Sequence, residues 1–271
     1  MALMQAATIE QLTQPLIADP SRSAVFLDVD GTLAPIVDDT HKARVPQGTR
    51  DALSKVAERY GLVACVTGRR CERAREMVGL DNITYFGNHG SEIMRPGSSD
   101  VEVAPEAAAW QDRVQAFTTG AYKEFGLERL GISAEDKGPI AGLHWRGVPD
   151  ESAAEAAIRQ VGAAAEAAGF GLHWAKKILE IRPPVQLSKG TAVGQLLAES
   201  PVDNALFAGD DLTDIHAFEA LDSAVASGAL KRAIKIGVDS NEAPPELAPA
   251  ADVMLTGTEA VVDMLDLLAA G

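Results

Sequence analysis

The stretch "AVFLDVDGTLAP" (Ala24 to Pro35) runs an apolar segment straight into two aspartates and a glycine. Alternate residues of a strand share a face, so this spacing predicts Asp28 and Asp30 looking the same way while Val29 looks back. Like charges held that close repel, and desolvating them costs roughly several kcal/mol unless a cation joins them. A plain Asp-Gly turn accounts for the same letters. The rest of the chain has to decide between them.

Working outward, short apolar segments alternate with helical patterns. "AVFLDV" reads as a strand, "PQGTRDALSKVAERY" as a helix opened by Pro46, and "GLVACVTG" as a second strand. "RRCERAREMVG" reads as a charged surface helix and "NITYFG" as a third strand. Strands separated by helices predict a parallel sheet covered on both faces, with the ligand site beyond the carboxyl ends of its strands. Asp28, Thr67 and "GNHG" (87–90) all sit at such ends.

The texture changes at "RPGSSDVEVAPE" (95–106), a polar stretch punctuated by Pro and Gly. Residues 105–182 then read as a helix–strand–strand pattern given twice, an α+β insertion rather than more parallel sheet. Afterwards the first pattern resumes. "SKGTAVGQLLAES" reads as a helix, "NALFAG" as a strand ending at "GDDLTD", "IHAFEALD" as a helix, "AIKIGV" and "ADVML" as strands, and "TEAVVDMLDLLAA" as a closing amphipathic helix.

The 271 residues, 46% of them hydrophobic, provide for a large core, so disorder is excluded. A net charge of −15 argues against nucleic acid and against an anionic membrane surface. An anionic ligand would need a metal ion or a local basic cluster. No apolar run reaches the ~18–20 residues of a membrane span. The leader has no basic start and is interrupted by Glu10, Gln11 and Gln14, unlike a secretion signal, so a cytoplasmic protein is expected. Cys65 and Cys71 read as small reduced hydrophobes.

The polar clusters carry chemistry. "GDDLTD" (209–214) also follows an apolar strand; if it lies beside the first cluster, Asp28, Asp30 and Asp210 could share a hard divalent cation such as Mg²⁺. Helix capping would account for Asp211 or Asp214 equally well. Thr67 and the amide of Gly68 offer a phosphate site at a strand end leading into a helix. Lys189 opens a helix, where a cation opposes the helix dipole, so charge neutralisation is the more natural use; solvation is the bland alternative. No nucleotide-binding glycine loop occurs.

"DVDGTL", "VTGR", the lysine of "SKG" and "GDDLTD", in that order, resemble the four motifs of the haloacid dehalogenase (HAD) superfamily of phosphotransferases. The insertion between the second and third motifs resembles a C2-type cap. "GNHGSE", "EDK" followed by "LHWR", and "LEIRPP" before "SKG" are similar to trehalose-6-phosphate phosphatases, from about Ser23 to the end. Asn88 departs from the family, which often has an aliphatic residue there. The resemblance implies an α/β fold: a Rossmann-like parallel-sheet core over 1–104 and 183–271, with 1–22 as a leader, and an α+β cap over 105–182.

It also implies roles. Asp28 would be the nucleophile, forming an aspartyl-phosphate, and Asp30 the general acid and then base. Mg²⁺ would be held by Asp28, the Asp30 backbone carbonyl and Asp210, supported by Asp211 or Asp214. Thr67 and Lys189 would hold the phosphoryl oxygens, with Gly31, Gly68, Arg69 and His89 lining the same site. In the cap, Glu135, Lys137, Glu180 and Arg182 would meet the sugar, and His144 and Arg146 alternate along an extended segment toward the same cleft. His41, His173 and His216 read as structural. The implied partner is a small sugar phosphate, hydrolysed by a monomer, with a functional partnership with a trehalose-6-phosphate synthase as the further implied link. Rivals are phosphatases for sucrose-phosphate or mannosyl-phosphoglycerate, a phosphomannomutase-like phosphotransferase, and a non-catalytic sugar-phosphate sensor.

Overall fold

The computed structural model describes residues 2–37, 42–240 and 243–271, with residues 2–8 described by backbone alone. The first part of the chain forms α1 (Ala2–Ala18), β1 (Ser23–Leu27), α2 (Gln47–Arg59), β2 (Leu62–Val66), α3 (Cys71–Val78), β3 (Thr84–Gly87), β4 (Glu92–Met94) and β5 (Val101–Val103). Next come α4 (Pro105–Ala108), α5 (Gln111–Glu124), β6 (Ser133–Asp136), β7 (Ala141–His144), α6 (Glu151–Ala167), β8 (Gly171–Ala175) and β9 (Ile178–Arg182). The chain ends with α7 (Lys189–Glu199), β10 (Asn204–Gly209), α8 (Leu212–Ala226), β11 (Arg232–Asp239), α9 (Leu247–Ala250), β12 (Val253–Thr256) and α10 (Gly257–Ala270). Two compact units result: Met1–Glu102 with Leu187–Gly271, and Val103–Gln186.

In the first unit an eight-stranded sheet runs β12-β11-β10-β1-β2-β3-β4-β5. The strands from β12 to β3 are parallel, and β4 pairs antiparallel with β3. All five residues of β1 are buried because both faces are covered. Val25 and Leu27 join α1, α2, α3 and α10 in one apolar cluster; Ala24 and Phe26 join α7 and α8 in the other. The β1 neighbours are β2, which follows it, and β10, which returns from far along the chain. The strand order therefore reverses at β1, and that reversal opens a crevice at the carboxyl ends of β1 and β10.

Two segments have structure that the sequence reading did not assign. The leader is a helix, and its Ile9, Thr13 and Leu16 are buried at 0–5% exposure. Its glutamine and glutamate interruptions leave one apolar stripe rather than a continuous apolar run. Within the polar stretch after Met94, Val101–Val103 extends the sheet as an edge strand, too short to show a period-2 signal. Among the described residues, no helix is long and apolar enough to cross a membrane. Cys65 and Cys71 are free and buried.

In the second unit a four-stranded sheet runs β6-β7-β9-β8, every pair antiparallel. Leu143, Leu179 and Ile181 pack on the α5 and α6 side with Val114, Ala121, Ile158 and Val161. The opposite face carries the polar residues described below.

Candidate active site

β1 ends at Leu27, so Asp28 to Asp30 are not strand, and the expectation that both carboxylates share one strand face does not hold. The loop folds back at once: Gly31 N–H donates to Ala34 O at 2.8 Å, and the amides of Leu33 and Ala34 donate to Val29 O. Gly31 has φ +76°, and a Cβ there would collide with the Asp210 carboxylate, so glycine serves both the turn and the close approach. The turn and the acidic site are thus one feature.

Register brings the motifs together. Leu27 pairs with Ala208 on one side and Cys65 on the other, which places Asp28 between the ends of β10 and β2. Asp28 N–H donates to Ala208 O at 2.9 Å. One carboxylate oxygen from each of Asp28, Asp210 and Asp214 gathers within 4.8 Å, and all three residues are buried. The Asp30 carboxylate lies outside this trio. It instead accepts a two-pronged grip from Arg69, Nε at 2.5 Å and Nη2 at 2.6 Å. Asp211 serves as the N-cap of α8, accepting from the amides of Thr213 and Asp214, while Asp214 accepts from the Asp211 amide at 2.9 Å. Asp211 therefore has the capping use open to it from sequence, whereas Asp214 caps and also belongs to the trio.

Lys189 is the first residue of α7, and Ser188 caps that helix in a reciprocal pair with Thr191. At 1% exposure it is not solvated. Its Nζ lies 2.7 Å from Asp214 Oδ1, 3.0 Å from Asp28 Oδ1 and 3.7 Å from Asp211 Oδ1. Burial alone would drive the ammonium toward neutrality, yet Asp211, Asp214 and Asp28 together raise it well above the usual lysine range. Burial pushes Asp28 up to about 6 against the pull of Lys189. Burial and then the charge of Asp28 push Asp210 up to about 8. Burial likewise raises Asp214 well above the usual carboxylate range. Burial opposes ionisation of Asp211 too, but Lys189 and the Thr213 donor hold it well below. A buried lysine shared by crowded carboxylates leaves negative charge in excess, and an all-oxygen donor set of this kind suits a hard divalent cation.

Thr67, at 1% exposure, follows β2; its hydroxyl accepts from Arg69 N–H at 3.2 Å. The "GNHG" turn packs over it: His89 N–H donates to Thr67 O at 3.0 Å and Asn88 N–H to Arg69 O at 2.8 Å. The His89 imidazole lies so close to Gly68 that a Cβ there would collide with it. Asn88 and His89 have φ of +47° and +56°, a region Asn tolerates better than an aliphatic residue, which gives Asn88 a backbone reason. Glu92, at 2% exposure, accepts the Cys71 amide at the start of α3 at 2.8 Å. The "GNHGSE" motif contained that anchor, but nothing in its spacing pointed to the role.

In the inserted unit, directly opposed residues share a face. Glu135 pairs with Gly142, Gly142 with Glu180, and Glu180 with His173, one row across four strands. Lys137 Nζ donates to Glu180 Oε1 at 2.8 Å and lies 3.8 Å from Glu135 Oε2. His144 Nε2 is 2.9 Å from Glu135 Oε2, and Arg182 also grips Glu180. Burial opposes charge on Lys137, but Glu180 and Glu135 raise it above the ordinary value. Arg146 lies past the end of β7 and donates to Lys176 O at 3.3 Å. His173, read as structural, stands on the same face as Glu180; only the strand register shows it. His216 lies on α8 with its carbonyl against Gly190, and His41 lies outside the described residues.

Residues 26–251 match the family model described as trehalose-phosphatase. A trehalose-phosphate phosphatase of Mycobacterium marinum is 32% identical over 206 residues, covering 74% of this chain and 52% of that protein. A protein of Mycobacterium tuberculosis named an uncharacterized glycosyl hydrolase is 34% identical over 209 residues, 74% of this chain and 15% of that protein. The chain thus spans about half the length of the first relative and far less of the second. Among solved structures, the C. albicans trehalose-6-phosphate phosphatase C-terminal domain superposes with a TM-score of 0.76 at 21% identity, covering 96% of this chain and 97% of that one. At that identity the likeness is one of fold.

Proposed function

Because the chain belongs to the trehalose-phosphatase family, we propose that it is a Mg²⁺-dependent phosphatase that hydrolyses trehalose 6-phosphate to trehalose and phosphate. The observation that carries this reading is the convergence of four separated motifs on Asp28: its own loop, the end of β2, the start of α7 and the end of β10.

Asp28 attacks phosphorus and forms a new P–O bond as the bond to the sugar oxygen breaks, with Asp30 giving that oxygen a proton. Asp30 then takes a proton from water, whose oxygen attacks phosphorus and releases Asp28. In this structure Arg69 donates to both oxygens of Asp30. Acting as the acid requires Arg69 to let go, and the phosphate is an anion able to draw it away. Lys189 and Thr67 hold the phosphoryl oxygens whose charge grows at the transition state. Asp28, Asp210 and Asp214, with the Asp30 carbonyl, would hold Mg²⁺, which offsets repulsion between the nucleophile and the phosphate.

The test is phosphate release from trehalose 6-phosphate, sucrose 6-phosphate, glucose 6-phosphate and mannosyl-phosphoglycerate, with Mg²⁺ and with EDTA. Trehalose 6-phosphate should turn over fastest, EDTA should abolish activity and Mg²⁺ restore it. Full activity in chelator would remove the metal from the account; a faster rival ester would reassign the substrate.

We place sugar recognition on the polar face of the inserted sheet, where the buried Glu180, the exposed Glu135 and the Lys137 ammonium match sugar hydroxyls that both donate and accept. A hydrogen bond to a charged group is worth ~1.5–3 kcal/mol, about a tenfold to hundredfold effect on binding. Glu135→Ala and Lys137→Ala are each expected to lower kcat/KM for trehalose 6-phosphate by that factor. Nitrophenyl phosphate, which has no sugar, should be hydrolysed almost as before. Arg182 keeps Glu180 paired in the Lys137 variant, so no lone buried charge complicates the comparison. If both substrates fall together, these residues serve the fold or the chemistry instead.

A further inference from the structure

The α3 helix starts without a side-chain cap of its own: Arg70, at its N-cap, makes no capping hydrogen bond. The amide of Cys71, the first helical residue, is taken by Glu92 Oε1 at 2.8 Å, from 21 residues away. Cys71 Sγ lies 3.5 Å from Glu92 O as well. Glu92 is 2% exposed, and burying a carboxylate is costly even when it is hydrogen-bonded. A serine at position 70 would cap the helix locally with no charge to bury. Capping alone therefore does not account for Glu92.

What the remote carboxylate adds is a tie between two loops. Gly87 and Glu92 face each other across the β3–β4 pair, and the "GNHG" turn joins them. That hairpin holds the loop after β2 through the backbone. Thr67 N–H donates to Phe86 O at 2.9 Å, His89 N–H to Thr67 O at 3.0 Å and Asn88 N–H to Arg69 O at 2.8 Å. Glu92 adds a hold at the far end of the same loop. Arg69, whose guanidinium grips Asp30, therefore stands between two fixed backbone points, Thr67 and Cys71. The junction has no room to spare: a Cβ on Gly87 would come within 2.8 Å of Cys71 N, Arg69 O and Glu92 Oε1.

We infer that Glu92 is a positioning residue for the phosphate-binding loop, setting Arg69 against Asp30 by pinning the Cys71 amide. The inference rests on the phosphatase reading above. Because Glu92 acts through the loop, its loss should impair handling of the phosphate end, which every ester substrate shares. The effect should also need Arg69 in place to be felt.

The experiment is kcat/KM for trehalose 6-phosphate and nitrophenyl phosphate in wild type, Glu92→Ala, Arg69→Gln and the double variant, well below each melting temperature. Glu92→Ala should lose about tenfold to hundredfold on both substrates, the range expected for a hydrogen bond to a charged group. In the Arg69→Gln background the same change should cost less than about threefold, because the group it positions is gone. Glu92→Gln keeps an acceptor oxygen for the Cys71 amide and should stay within about threefold of wild type. Gly87→Ala suits the backbone there (φ −103°) but wedges a methyl group into the junction, so it should lose activity as Glu92→Ala does. It takes the place of Glu92→Ala in the cycle if that variant does not fold. Wild-type activity in Glu92→Ala overturns the inference, and so does an equal loss in both backgrounds. A Gln variant as poor as the Ala variant, or a loss confined to trehalose 6-phosphate, overturns it too. If wild type hydrolyses neither ester, the phosphatase reading fails by itself. The same cycle, read as calorimetric affinity for inorganic phosphate with Mg²⁺, then decides the loop. A loss in Glu92→Ala that vanishes in the Arg69→Gln background supports the inference; equal losses, or no phosphate binding by wild type, overturn it.

Discussion

Asp28→Asn should leave a folded protein with turnover reduced by about a thousandfold or more, because an amide of the same shape is a poor nucleophile. The structure gives reasons to expect the fold to survive. Asp28 is 4% exposed and its backbone amide bonds to Ala208, a contact the substitution leaves alone. Burial already pushes the carboxyl up to about 6, so a neutral side chain removes a cost rather than adding one. Lys189 loses one partner at 3.0 Å but keeps Asp214 at 2.7 Å. The melting temperature should hold or rise while phosphate release collapses. Residual activity above a few per cent would show that Asp28 is not the attacking group. A collapse of both activity and melting temperature would mean that its charge is needed for folding.

Lys189→Met is expected to do the reverse, damaging stability and activity together. The substitution fills much the same space and removes the cation shared by Asp28, Asp211 and Asp214. Asp28 and Asp214 are then left at 4% and 0% exposure, without the cation that pairs with them among the described residues. Breaking a buried pair by removing one member costs about 3–5 kcal/mol, which for a chain of this length lowers Tm by about 6–20 °C. Loss of a donor to the developing phosphoryl charge adds about 10²–10³ in kcat/KM. Lys189→Arg should not rescue, since a larger head must enter a site that is 1% exposed. Mg²⁺ should raise the melting temperature of the Met variant more than that of wild type, because the carboxylates remain and nothing else neutralises them. Thermal unfolding with and without Mg²⁺, alongside kinetics, checks this. An unchanged melting temperature would show that the carboxylates are held neutral rather than held by Lys189.

The leader and the closing helix show how packing assigns structure that patterning leaves open. Leu16 of α1 and Val261, Leu265 and Leu268 of α10 are fully buried in one cluster with β1. The closing helix was legible because its apolar residues recur at helical spacing. The leader was not, because its stripe is interrupted by polar residues and gains definition only from the surface it covers.

Much of the chemistry was legible for a physical reason: each catalytic candidate in the core sits at a strand end or a helix start, where polarity breaks abruptly into an apolar pattern. "DVDGTL", "VTGR", "SKG" and "GDDLTD" announce themselves in that way, and the alternation of strands and helices is enough to predict a parallel sheet with its site at the carboxyl ends. What each carboxylate touches depends on neighbours far away in sequence. The reversal of strand order at β1 sets Asp28 beside Asp210 and Asp214. The placement of α7 buries Lys189 among them, and Arg69 turns the Asp30 carboxylate away. Likewise the alternation around "LHWR" and "LEIRPP" marked polar residues, but only the register of β6, β7, β9 and β8 put Gly142 and His173 in one row with Glu135 and Glu180. Local sequence determines which residue types occur at an element's end, because that is a matter of neighbouring letters. Which charges meet, and so which are paired, is decided by long-range strand and helix packing, whose partners lie up to 186 residues apart for Asp28 and Asp214.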